Sequence, residues 1–118
     1  MLLAGLSSSL YGHQLTPTYP TLEQSYAPGI LKAEMVLFNS RADIRFYEFQ
    51  VYYKDWNPVE FAAAEKIVNV EYLERKTIDI FIRRLDETKA VYICSVSKIL
   101  KGSKQSSIIS SRICSKIK

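Results

Sequence analysis

The chain has 118 residues, the size of one domain, with 47% hydrophobic and 24% charged residues and a net charge of +4. This balance excludes a chain that is disordered throughout, and no run of about 18 apolar residues offers a membrane-spanning helix. The charge is uneven: from Lys98 onward there are six basic and no acidic residues, while the preceding part holds ten basic and twelve acidic residues, a net of −2. A basic end of this kind fits a solvated edge strand, an acidic protein surface or nucleic acid.

The first ten residues, Met1-Leu-Leu-Ala-Gly-Leu-Ser-Ser-Ser-Leu10, lack a positive flank, and Ser7–Ser9 break their apolar stretch. They read as retained rather than as a cleaved signal. Residues 1–28 contain Pro17, Pro20 and Pro28, three of the four prolines. They are expected to form an extended arm with a strand near Thr21–Ser25. Within it Leu2, Leu3, Leu6, Leu10 and Tyr11 form a candidate interface anchor, laid on a neighbour by strand addition or in a groove.

From residue 29 to 118 the texture changes to short strands with polar breaks. In Ile30–Phe38, Leu31, Ala33, Met35 and Leu37 point one way and Lys32 and Glu34 the other. Asn39–Ala42 is a turn. Ile44–Tyr53 is an aromatic strand whose inward set shifts from Ile44 and Phe46 to Phe49, Val51 and Tyr53, which predicts a β-bulge near Tyr47–Glu48. Lys54-Asp-Trp-Asn-Pro58 is a second turn. Val59–Ala62 reads as a short edge strand, with a helical turn over Val59–Val70 as its competitor. Lys66–Tyr72 sets Val68, Val70 and Tyr72 inward, and Thr77–Leu85 sets Ile78, Ile80 and Ile82 inward. Ala90–Leu100 and Ser107–Lys118 are the last two strands. Seven or eight strands at this spacing predict an all-β antiparallel sandwich.

A hairpin centred on Ser103–Gln105 pairs residues whose numbers sum to about 208, which sets Cys94 opposite Cys114, Val96 opposite Arg112 and Ile93 opposite Ser115. This register admits a cross-strand disulfide, or two reduced thiols packed side by side. Two cysteines and one distant histidine are too few for a metal site, and neither metal nor cofactor is expected. Tyr92-Ile-Cys94 matches the tyrosine corner of immunoglobulin domains, and equally a plain strand aromatic.

Catalytic motifs are missing. His13, in the proline-rich arm, is expected at the surface or in an interface. No Gly-x-Ser-x-Gly elbow and no phosphate-binding glycine loop occurs, so the chain is not expected to be an enzyme. Nucleic acid is disfavoured as a partner, because Asp79, Asp86 and Glu87 surround Arg83-Arg84. Tyr47, Tyr52, Tyr53, Trp56 and Phe81 are more aromatics than one core face needs. Trp56, Arg112 and Lys116 are therefore candidate interface residues.

Met35-Val-Leu-Phe-Asn39-Ser40, the aromatic strand Ile44–Tyr52, the turn Trp56-Asn-Pro58 and the strand–turn–strand Val68–Arg84 together resemble immunoglobulin-like domains of the pilus-chaperone type. The resemblance spans about residues 30–97. It lacks that family's proline-rich segment before the penultimate strand, and its second domain. It implies an immunoglobulin-like sandwich of about seven strands over 29–118, behind the arm 1–28. The last two segments, Tyr92–Lys98 and Ser111–Ile117, resemble small structural proteins of tailed bacteriophages. That resemblance implies a virion component of tail, connector or capsid surface, partnered by other virion proteins and by copies of itself. The second reading is an extracytoplasmic pilus-chaperone-like binding module in the periplasm or outside the cell. The third is a nucleic-acid-binding adaptor.

Overall fold

The computed structural model describes residues 13–98 and 111–118. Two antiparallel sheets face one another. The first contains β1 (His13–Thr16), β2 (Glu23–Gln24), β3 (Ile30–Asn39) and β6 (Arg75–Arg83). The second has the order β5 (Ile67–Asn69), β4 (Phe46–Tyr52), β7 (Tyr92–Lys98), β8 (Arg112–Lys116). A single 3-10 turn, Arg84–Asp86, follows β6. β3 carries the first sheet: β6 pairs with it from Ile30 to Phe38 along one edge, and β1 and β2 share its other edge.

Period-2 alternation dictates what fills the space between the sheets. Leu31, Ala33, Met35 and Leu37 of β3 and Ile78, Ile80 and Ile82 of β6 face Tyr47, Phe49 and Val51 of β4, Ile93 of β7 and Val68 beside β4. All of them are buried. Each side chain of this size contributes about 1.5–3 kcal/mol when removed from water. The inward parity expected for β3 and β6 and for Val68 and Val70 is the one observed. The all-β antiparallel sandwich predicted from strand spacing is the architecture found.

The structure corrects several details. β4 is regular from Phe46 to Tyr52 and carries no bulge at Tyr47–Glu48; Tyr47 itself is core. The parity shift falls earlier, between buried Ile44 and the start of the strand. The core accepts Tyr47 because its hydroxyl donates to Asn39 Oδ1 at 2.6 Å, so no polar group is stranded. Tyr72 is 55% exposed rather than inward, because β5 ends at Asn69 and the chain turns. In place of a strand over Val59–Ala62 there are isolated bridges, Tyr52 to Pro58 and Ala62 to Phe81, and no helical turn. Within segment 1–28, β1 and β2 are part of the first sheet. Leu15 alternates with polar neighbours and fills a core position, which ties this stretch to the sandwich. The anchor residues Leu2, Leu3, Leu6, Leu10 and Tyr11 lie outside the described residues.

Candidate functional site

The last two strands form a surface fixed both by pairing and by a covalent link. β7 and β8 pair in the register Cys94–Cys114, Val96–Arg112 and Ile93–Ser115. The flanking pairs exchange backbone bonds, with Ser97 N–H donating to Ser111 O and Ile117 N–H to Val91 O. Cys94 and Cys114 therefore occupy a non-hydrogen-bonded position, where opposed side chains come closest. Their Cα atoms are 4.0 Å apart and a disulfide joins them. It lies on the outer face of the second sheet, unlike an immunoglobulin disulfide that crosses the core.

β8 is an edge strand, and its outer side is partly covered. Lys116 N–H donates to Thr18 O and Lys118 N–H to Pro20 O, each at 2.9 Å. The chain thus leaves the first sheet after β1 and lies along the C-terminal end of β8. Backbone groups alternate between the two sides of a strand. The N–H and C=O of Cys114 and Arg112 consequently point away from β7, along the stretch of edge beyond Thr18.

On the outer face the side chains of even-numbered residues form cross-strand rows: Tyr52, Tyr92 and Lys116, then Gln50, Cys94 and Cys114. The Lys54–Asn57 turn closes on hydrogen bonds from Tyr53 N–H to Asn57 O and from Trp56 N–H to Tyr53 O. It folds Trp56 over this face. The indole stacks on Tyr92, with centroids 4.3 Å apart and planes 4° apart, and meets Tyr52 edge-on at 5.5 Å. The Arg112 guanidinium lies 5.0 Å from the Trp56 ring and 5.7 Å from that of Tyr52. Trp56 holds this position with φ 70, a left-handed backbone that costs a non-glycine residue roughly 1–2 kcal/mol. It still leaves 43% of its surface in water. One row further along, Lys98 pairs with Glu48 at 3.2 Å.

The buried polar groups serve the scaffold. His13 is fully buried in the core of the chain, contrary to its expected place at the surface or in an interface. Its ring packs on Tyr47 at 4.6 Å, and its Nε2 shares a 3.0 Å hydrogen bond with Ser95 Oγ. Burial lowers its pKa to about 4, with Arg41 adding to the shift, so the imidazole is neutral at physiological pH. Burial likewise pushes the Tyr47 hydroxyl up to about 12. Asn39 joins four segments: its Nδ2 donates to Ile44 O and Val70 O, while its Oδ1 accepts from Tyr47 and from Arg41 N–H. Among the described residues no group of three or more His, Cys, Asp or Glu is arranged to hold a metal ion.

Of the residues singled out from sequence, Cys94, Cys114, Trp56, Arg112 and Lys116 are brought together on one face of the second sheet. Tyr52 and Tyr92 complete that face. Tyr92 is a strand aromatic stacked on Trp56 rather than a tyrosine corner. The signal for it was the even parity that Tyr92 shares with Cys94. The role of Thr18 and Pro20 in covering β8 left no trace in the local sequence.

No protein-family model and no curated protein sequence matches the chain. Solved structures do. The E. coli chaperone DraB superposes with a TM-score of 0.65 over 89% of this chain, at 13% sequence identity. The PapD-like (ASH) domain 7 of human CEP192 superposes with a TM-score of 0.57 over 90% of this chain and 82% of its own length, at 6% identity. The fold is PapD-like. This chain spans about half of the DraB chain, 52% of its length.

Proposed function

We propose that this PapD-like domain is an extracytoplasmic binding module, chaperone-like in holding an extended segment of another protein against β8, and that it catalyses no reaction. The observation that carries the reading is the Cys94–Cys114 disulfide, set in a fold shared with a chaperone. Disulfides persist in oxidising compartments, which favours the periplasm or the cell exterior over the cytosol. Neither structural neighbour is a virion protein.

The mechanism is strand addition. An incoming extended segment exchanges hydrogen bonds with the outward N–H and C=O groups of Arg112 and Cys114, and so adds a fifth strand to the second sheet. The disulfide fixes β8 against β7 before the partner arrives, so little ordering of β8 itself opposes binding. The partner is another protein chain in extended conformation.

The test is amide NMR during titration with a synthetic peptide of alternating valine and threonine. The expected result is a shift and slowed hydrogen exchange at the Arg112 and Cys114 amides. Unchanged amides at these two positions, at millimolar peptide, overturn the reading.

A further inference from the structure

The outer face of the second sheet carries a feature that strand addition does not use. Three aromatic rings, Trp56, Tyr92 and Tyr52, meet there, with Arg112 across two of them. Lys116 stands opposite Tyr92 in register on the same face. Among the described residues no carboxylate forms an ion pair with Arg112 or Lys116. The nearby carboxylate on this face, Glu48, is already committed to Lys98. Two cations without carboxylate partners thus flank an aromatic stack, at a turn held in a left-handed conformation that places Trp56 over the sheet.

We infer that this face is a second binding surface, and that it takes an acidic segment of a partner protein, with carboxylates on Arg112 and Lys116 and an apolar side chain against Trp56. Tryptophan, tyrosine and arginine are the residues on which interface energy concentrates. Arg112 already rests beside the rings of Trp56 and Tyr52, so its guanidinium is presented to a carboxylate with little further ordering. Charge complementarity favours a short acidic peptide over a polyanion. A nucleic acid or sulfated polysaccharide follows a longer basic groove, whereas here Glu48 lies in the same cross-strand row as Arg112. This inference does not depend on the β8 edge: it uses side chains of the sheet face, and strand addition uses backbone groups of the edge.

Trp56 is the only tryptophan in the chain, so its emission reports on this surface alone. The experiment titrates the full chain with a synthetic peptide of alternating glutamate and leucine. Parallel titrations use a lysine–leucine peptide, heparin and a single-stranded oligonucleotide. The expected result is a saturable change in Trp56 emission with the acidic peptide only, weakening as salt is raised. Loss of both exposed charge contacts in the variant Arg112→Gln/Lys116→Gln weakens binding roughly tenfold, while Lys89→Gln leaves it unchanged. Mass and thermal midpoint establish that the variants keep the disulfide and the fold. The inference is overturned by any of three results: no change with the acidic peptide, equal binding by the double variant, or tighter binding of the lysine peptide, heparin or oligonucleotide.

Discussion

His13 Nε2 lies 3.0 Å from Ser95 Oγ, and this contact joins β1 of the first sheet to β7 of the second. Burial of His13 makes the domain sensitive to acid. The pKa of His13 is lowered to about 4 in the folded state, against 6.5 for the free side chain. Between these values the unfolded chain binds the proton and the folded chain does not, so stability falls as pH drops from about 6.5 towards 4. The expected loss between pH 7 and pH 5 is about 2 kcal/mol from this residue. Urea unfolding at the two pH values measures it. The variant His13→Gln, which cannot titrate, is expected to lack that part of the slope.

The Cys94–Cys114 bond closes a loop with a sequence separation of 20. Loop-closure entropy assigns such a link about 3 kcal/mol of stability. Cys94→Ser/Cys114→Ser is therefore expected to lower the unfolding free energy from denaturant titration by that amount. A reducing agent should do the same to the native chain and leave the double variant unaffected.

Asn39 and Tyr47 act as a unit. Removing the hydroxyl in Tyr47→Phe leaves Asn39 with its other partners and is expected to cost about 1 kcal/mol. Asn39→Ala strands the Ile44 and Val70 carbonyls in the interior as well, and is expected to cost roughly 3 kcal/mol or more. A double-mutant cycle by chemical denaturation should show a clear coupling energy between the two positions.

Leu73 offers the opposite case. It has φ 63, is 57% exposed, and is held in place by its N–H donating to Asn39 O at 2.6 Å. An exposed leucine in the left-handed region has little burial to offset its backbone strain. Leu73→Gly is expected to raise stability by about 1 kcal/mol, read from the thermal midpoint. A fall would mean that the leucine side chain contributes packing that outweighs the strain.

The core strands were legible because their chemistry is local. Ile78, Ile80 and Ile82 alternate with Asp79, Phe81 and Arg83, and such a pattern reads the same before and after folding. The β7–β8 register was legible for a related reason: a hairpin pairs residues by a constant sum, and one guess at its centre places Cys94 opposite Cys114. The burial of Tyr47 and His13 was not legible because it depends on side-chain partners in other strands. Tyr47 is core only because Asn39 accepts from its hydroxyl. His13 is core only because Ser95, 82 residues away, meets its ring. The covering of β8 by Thr18 and Pro20 is of the same kind, since neither residue differs locally from an ordinary turn. Trp56 marks a turn in the sequence, but its stacking on Tyr92 needs the left-handed backbone at that residue, which nothing in Asp55-Trp56-Asn57 announces.

The central claim is that the backbone of β8 at Arg112 binds an extended segment of another protein. Arg112→Pro removes the outward N–H without touching the bonds to β7, and proline is tolerated on an edge strand. Arg112→Gln keeps the N–H and removes only the charge. Isothermal titration of both variants with the valine–threonine peptide separates the edge from the side chain. Strand addition at β8 requires that Arg112→Gln binds as the unaltered domain does and that Arg112→Pro, with its disulfide and fold intact, does not bind. Equal affinity of Arg112→Pro and the unaltered domain would contradict it.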